Sequence, residues 1–237
     1  MSIYIGTPAY DGKLHHACVA GLLQVSRLCG EQRVGIGVEV IPHDAFVGHA
    51  RNMIVKDFMD SGFKNLVFID ADIGFKAEEV VHLCNAAPDI VMGMYLMKSA
   101  KPRYPALMCD PLVRHPSDMR LIKIKYGPSG FMRIRRNVIE KMMEQWPEEY
   151  YIDGLIGKIF DLFPHGRYGH AFTGEDIKFC ERATECGFDI WAMQGISLQH
   201  FGEKSWDSTW QIDSMSVHDG VESSSEMGAM DGFQKAA

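Results

Sequence analysis

Short apolar runs alternate along the chain with segments whose apolar positions recur every three or four residues. Ser2–Thr7 predicts a short buried strand, closed by the turn cluster Thr7-Pro8-Ala9-Tyr10-Asp11-Gly12. Over 13–29, Leu14, Cys18, Leu22, Val25 and Leu28 keep helical spacing, with Gly30 as the stop. Val34–Ile41 predicts a second strand, and Gly48–Ser61 a helix stopped by Gly62. Asn65–Ile69 is apolar without alternation and runs into Asp70-Ala71-Asp72, the pattern of a parallel strand buried on both faces. Residues 76–86 predict a helix and Asp89–Tyr95 a strand.

The pattern is less regular in the middle. Pro102, Pro105, Pro111 and Pro116 favour loops and short edge strands over 96–119. Leu121–Tyr126 alternates apolar and basic residues as a half-exposed strand does. Gly127-Pro128-Ser129-Gly130 is a turn, Phe131–Arg133 an extended piece, and Asn137 an N-cap for a helix through Gln145. Residues 147–171 mix aromatics, glycines and prolines and predict a long functional loop region. Glu175–Cys186 predicts a helix ended by Gly187, followed by strands at Phe188–Met193 and Ile196–His200. This alternation implies an α/β layered fold. From Asp207 onward the chain turns to Ser, Met, Gly and Asp. The expectation is one domain over 1–206 and a polar, acidic tail over 207–237 that is mobile or acts as a lid, a role also open to 147–171.

A chain of 237 residues buries a core without disulfide or metal staples. The net charge of −7 argues against a nonspecific nucleic-acid binder. The six cysteines contain no CxxC pair and suit free thiols in a reducing cytosol. No apolar run reaches membrane-span length and the N-terminus has no basic leader, so a soluble cytoplasmic protein is expected, in the host cytoplasm if the chain is viral.

Candidate chemistry concentrates at three places. Alternation along the strand puts Asp70 and Asp72 on one side, where a divalent cation such as Mg²⁺ or Mn²⁺ would offset their repulsion; the bland reading is a polar strand end. Open α/β sheets bind ligands beyond the carboxyl ends of their strands. Thr173-Gly174-Glu175-Asp176 opens a helix, where the acids serve the helix dipole or one is a general base. Gln199-His200-Phe201-Gly202 ends a strand, where a neutral imidazole is either satisfied locally or a metal ligand.

The order and spacing of these three features resemble those of GT-A fold glycosyltransferases. The likeness spans about residues 2–203 and is greatest to small family-2-type enzymes, including compact viral and bacterial members. Ile5–Gly12 resembles that fold's nucleotide-binding first strand and turn. Gly48-His49-Ala50-Arg51-Asn52 resembles its donor-facing helix start, and Gly127–Phe131 the glycine-rich turn beside the donor sugar. The resemblance implies a GT-A (nucleotide-diphospho-sugar transferase) fold, with a Rossmann-like mixed central sheet flanked by helices. It implies a nucleotide-sugar donor, UDP first and GDP next, a glycan, polysaccharide or glycoconjugate acceptor, and Mn²⁺ or Mg²⁺. Asp72 is then the main metal carboxylate, Asp70 a ribose or water-mediated metal contact, and His200 the remaining metal ligand. Thr7, Pro8, Tyr10, Asp11, Arg51, Asp70 and Ala71 serve the donor nucleotide, and Gly127, Pro128, Ser129 and Gly130 the donor sugar. Asp176 is the base of an inverting transfer, with Glu175 second.

Two other readings stand beside this one. The first is a non-catalytic nucleotide-sugar-binding or scaffold protein on the same fold, since fold alone does not give activity. The second is transfer to modified DNA bases, kept open by the basic run Arg120, Lys123, Lys125, Arg133, Arg135, Arg136 and Lys141, which reads first as a solvated face and otherwise as a contact for an anionic acceptor or the acidic tail. Trp146, Tyr150, Tyr151, Phe160, Phe163, Tyr168 and Trp191 are core residues or sugar platforms, and His165, His170 and Lys204 possible rim residues.

Overall fold

The strand with no alternation is the spine of the protein. In the computed structural model, residues 1–101, 103–202, 205–211 and 221–222 are described. The chain runs β1 (Ser2–Ala9), α1 (His16–Glu31), β2 (Gly35–Pro42), α2 (Val47–Ser61), β3 (Asn65–Ile69), β4 (Ile73–Gly74), α3 (Ala77–Asn85) and β5 (Ile90–Gly93). It continues through β6 (Tyr104–Met108), β7 (Arg114–His115), β8 (Asp118–Tyr126), β9 (Phe131–Arg135) and α4 (Arg136–Gln145). Then follow β10 (Tyr150–Asp153), β11 (Gly157–Phe160), β12 (Gly166–Tyr168), β13 (Ala171–Thr173) and α5 (Glu175–Glu185). The last elements are β14 (Ile190–Met193), β15 (Ser197–Phe201), β16 (Ser205–Thr209) and β17 (Val221–Glu222).

The large sheet has the order β17-β6-β8-β14-β5-β9-β3-β1-β2, with β7 paired on β8. It is mixed: β1 is parallel to β2 and β3, whereas β9 is antiparallel to both β3 and β5. Leu66 and Phe68 of β3 face a core layer shared with α2, α4 and α5. Val67 and Ile69 face a second layer that contains the buried sides of α1 and α3. Every β3 side chain is buried, which is why its sequence shows no alternation. Each such apolar side chain contributes roughly 1.5–3 kcal/mol relative to exposure. The expected α/β architecture is therefore the one observed.

Several local expectations differ. Helix α1 runs through Gly30 and ends at Glu31, because the left-handed turn is taken at Arg33 (φ 55°). Gly62 does stop α2, at φ 76°. Asn137 lies inside α4, since β9 runs straight into the helix with Arg135 at the cap. The stretch 147–171 is largely two antiparallel hairpins, β10–β11 and β12–β13. The boundary expected at 206/207 falls inside β16, which pairs with β15, and Trp210 is buried in the core beyond it. Residues 212–220 and 223–237, where most of the expected tail falls, lie outside the described residues. All six cysteines are free, and among the described residues no helix is long and apolar enough to cross a membrane.

Six of the seven residues of the basic run have partners within the protein. Arg133 is buried and donates to the carbonyls of Leu83 and Ala86. Arg136 donates to those of Phe58 and Phe63, while Arg120 pairs with Asp118, Lys123 with Asp189, Arg135 with Asp89 and Lys141 with Glu144.

Asn52 ties α2 to the first hairpin. Its amide donates to Asp161 Oδ1 at 2.8 Å, and its Oδ1 accepts from the Leu162 and Phe163 amides at 3.0 Å each. Replacing it with Ala leaves those amides unpaired, so Asn52→Ala should lower unfolding free energy by about 2–4 kcal/mol, read from the urea midpoint.

Candidate active site

A cleft of about 710 Å³ opens beyond the carboxyl ends of β1, β2 and β3. Pro8, Tyr10, Asp11, Asp70, Ala71 and Asp72 are among the residues that line it, with Lys13, Leu14, His15 and Asp44. Tyr10 is 75% exposed at the mouth, a free ring face. Thr7 is fully buried beneath the cleft and is not among its lining residues.

Asp70 and Asp72 do not share a strand face. Strand β3 ends at Ile69, and the aspartates occupy the turn before β4, in which the Ile73 amide donates to the Asp70 carbonyl. The Asp70 amide donates to the Gly130 carbonyl at 2.9 Å, which anchors Asp70 to β9 of the large sheet. Its side chain turns to Arg51: Nη2 donates to Oδ1 at 2.8 Å. Arg51 is 2% exposed, its Nε lies 3.6 Å from Glu175 Oε1, and its guanidinium covers the Phe68 ring. Burial alone would lower its pKa, but Asp70 and Glu175 outweigh it and hold the pKa above the ordinary value. Arg51 therefore joins the strand end to the start of α5. It can come so close because Gly48, one turn earlier, lets α2 lie against the Phe163 carbonyl; a Cβ there would meet that oxygen at 2.4 Å.

The Gly127–Gly130 turn lies behind Asp70 and is not part of the lining of this cleft. Ser129 is buried, and a Cβ on Gly130 would stand 2.4 Å from Asp70 Oδ2 and 2.3 Å from the Tyr95 hydroxyl. The Gly130 amide donates to that hydroxyl at 3.2 Å. Burial, with the Asp70 charge adding to it, pushes the Tyr95 pKa far up, so it stays a phenol. Sequence reading did not single out Tyr95, because at the end of an apolar run it is indistinguishable from a core aromatic.

Asp72 directly precedes β4 of a second, three-stranded sheet, in which His200 of β15 pairs with Ile73. Its carbonyl accepts from the Phe201 amide at 2.9 Å. His200 Nδ1 donates to the Leu96 carbonyl at 2.7 Å, which leaves Nε2 as the free nitrogen, 3.7 Å from Asp72 Oδ1. Burial lowers the His200 pKa and keeps the ring neutral. Lys98 Nζ is bonded to Asp72 Oδ2. Among the described residues no group of three or more His, Cys, Asp or Glu side chains gathers to hold a metal ion. The expected set of Asp70, Asp72 and His200 is thus only partly assembled: Asp72 and His200 meet, while Asp70 is committed to Arg51.

Helix α5 carries Glu175 and Asp176 in its first turn. Asp176 has its pKa raised to about 6, chiefly by burial and then by the Glu175 charge, against the pull of the Ile177 amide. It faces a separate hollow of about 160 Å³ under the 97–106 segment, with Met97, Tyr104 and Tyr126.

Of the aromatic candidates, Phe163 and Trp191 are core residues. Tyr150 and Phe160 carry the Lys158 ammonium, and Tyr168 that of Lys178. Tyr151 and His165 line a third hollow of about 200 Å³ with Phe46, His49 and Asp161. His170 is exposed, and Lys204 lies outside the described residues.

No known family profile matches the sequence, and no curated protein does. Solved structures do. A Drosophila β-1,4-galactosyltransferase 7 mutant, in complex with manganese, UDP-Gal and xylobiose, is 11% identical over 99% of this chain and 82% of its own, with a TM-score of 0.45. A UDP-glucose pyrophosphorylase complexed with UDP-glucose is 10% identical over 82% of this chain and 90% of its own, at 0.45. A glycosyltransferase involved in glycosylation of the PBCV-1 major capsid protein is 12% identical over 63% of this chain and 68% of its own, at 0.34. At these identities the likeness is one of fold.

Proposed function

We propose that the protein transfers a sugar from a nucleotide-sugar donor to a hydroxyl group of a glycan, polysaccharide or glycoconjugate, with UDP as the first choice of nucleotide and GDP the next. One observation carries the reading: a strand-end cleft, walled by Asp70 and Asp72, is joined through buried Arg51 to a helix start whose Asp176 has its pKa raised to about 6. The galactosyltransferase and the pyrophosphorylase named above were solved with UDP-sugars, which accords with this choice of donor.

In this reading the nucleotide lies over Pro8, Tyr10 and Asp11, with the Tyr10 ring as a stacking face. Asp70, fixed by Arg51, accepts from a ribose hydroxyl. The Gly127–Gly130 turn acts on the donor sugar through the Asp70 it supports. Asp72 and the free nitrogen of His200 fit Mn²⁺ or Mg²⁺ as one carboxylate and one neutral imidazole. Such an ion, when bound, offsets the charge of the departing diphosphate. The acceptor oxygen attacks the anomeric carbon, its proton passes to the Asp176 carboxylate, and the carbon–oxygen bond to the diphosphate breaks, inverting the centre. Glu175 holds Arg51 and sharpens the basicity of Asp176 through its charge.

A thermal-shift panel of UDP, GDP, CDP and dTDP and their sugar conjugates, with and without Mn²⁺, tests this reading. One nucleotide should raise the melting temperature in a Mn²⁺-dependent way that Asp72→Ala abolishes, and should appear as product when its sugar conjugate is hydrolysed. A shift without any donor turnover would favour the non-catalytic reading, and no shift with any nucleotide would overturn the donor site.

A further inference from the structure

The positive charge that faces Asp72 belongs to the chain itself. Lys98 sits on the connection between β5 and β6, whose base is closed by the Met97 amide donating to the Arg103 carbonyl at 2.9 Å. The Leu96 carbonyl of the same connection orients His200. The lysine stem passes over Gly202: a Cβ there would stand 3.1 Å from Lys98 Cδ, so a side chain at 202 would crowd the path to Asp72. The ammonium then bonds Asp72 Oδ2, while Oδ1 faces the free nitrogen of His200 at 3.7 Å. Both side chains keep solvent contact, at 31% and 40% exposure, so this is a screened pair that can open, not a buried structural bridge.

The carboxylate that a hard divalent cation would take is thus already held at one oxygen by an ammonium, beside the oxygen that faces His200. Resting on the donor-site reading above, we infer that Lys98 is a tethered counter-ion that competes with the divalent cation for Asp72, so that the cation enters together with a diphosphate. A bare divalent ion must displace the ammonium or settle beside it, against a like charge either way. A diphosphate arriving with the ion brings negative oxygens, which give the displaced ammonium a new partner through charge-assisted hydrogen bonds. Metal and diphosphate are then coupled through Lys98, and the coupling is reciprocal. An idle site holds no ion, and the cation is recruited by the substrate that needs it.

The test is Mn²⁺ binding to the full chain, followed by electron paramagnetic resonance of the free ion, in the wild type, Lys98→Met and Lys98→Arg. Thermal unfolding of each protein checks that it is folded. With Mn²⁺ alone, Lys98→Met should bind about tenfold more tightly than wild type, within the usual range of such couplings, and Lys98→Arg as weakly as wild type. In equilibrium dialysis, adding inorganic pyrophosphate should raise Mn²⁺ retention strongly in the wild type and much less in Lys98→Met. Equal Mn²⁺ affinity in wild type and Lys98→Met, including no measurable binding to either, overturns the inference. If a nucleotide still shifts the melting temperature in an Asp72-dependent way in that case, the donor site stands without it. A nucleotide panel with no shift removes the donor-site reading, and the diphosphate half of this inference with it.

Discussion

Asp176→Asn should abolish transfer and, at the same time, make the protein more stable above pH 6. The rate loss expected for removing a general base is on the order of 10²–10⁴-fold. The gain in stability follows from linkage. Asp176 has a folded-state pKa of about 6 against an ordinary value of 3.8, raised first by burial and then by Glu175. A carboxyl group with a raised folded pKa favours folding fully below its unfolded pKa, and that contribution is lost as pH rises through the folded pKa. The wild type therefore loses on the order of 2–3 kcal/mol between about pH 4 and pH 6.5 that an uncharged amide does not lose. At pH 8 the variant should melt roughly 5–10 °C higher, and the two proteins should converge near pH 4. The wild-type rate should rise with pH through an apparent pKa near 6, where the base becomes ionised. Melting curves at pH 4 and pH 8, with donor turnover at pH 8, check the whole chain. A variant no more stable than wild type at pH 8 would mean that the carboxylate is adequately solvated.

Arg51→Leu should be the most damaging single change to the fold near the site. The guanidinium is buried between Asp70 and Glu175 and lies over Phe68. Removing it leaves two carboxylates facing each other with no counter-charge. Breaking a buried pair in this way costs about 3–5 kcal/mol, a large share of the total for a typical domain. Guanidinium chloride unfolding should show that loss in the midpoint. Arg51→Lys should recover only part of it, because one ammonium lacks the planar fork that serves two partners. A loss below about 1 kcal/mol would show that Asp70 and Glu175 relax into water when the arginine is removed.

The fold was legible in the sequence where burial alone decides structure. Asn65–Ile69 has one face on each core layer, so its unbroken apolar run could form only an interior strand. Asp70 and Asp72 were placed at the cleft by the rule that loops following buried parallel strands surface at one sheet edge, whereas Pro8, Tyr10 and Asp11 were reached only through the family resemblance. What escaped were contacts set by long-range pairing. Arg51 looks from its motif like a residue facing the ligand, yet α2 packs so closely over Phe163 that it is enclosed. Lys98 sits in a proline-flanked connection with no local pattern, and only the meeting of β4 with β15 makes it a neighbour of Asp72. The same-side placement of Asp70 and Asp72 assumed that β3 continues to Asp72. The chain turns after Asp70 instead, in the tight turn closed by the Ile73 amide on the Asp70 carbonyl.

That turn divides the acidic motif between two bodies. Asp70 is tied to the ten-stranded sheet through Gly130, while Asp72 is tied to the β4–β15–β16 ribbon through Phe201. Ala71 is the single residue between them. The ribbon is itself seated on the core, with Ile73 and Leu198 buried in the layer of α1 and α3. A ligand that touches both aspartates therefore bridges the two sheets across the single residue Ala71.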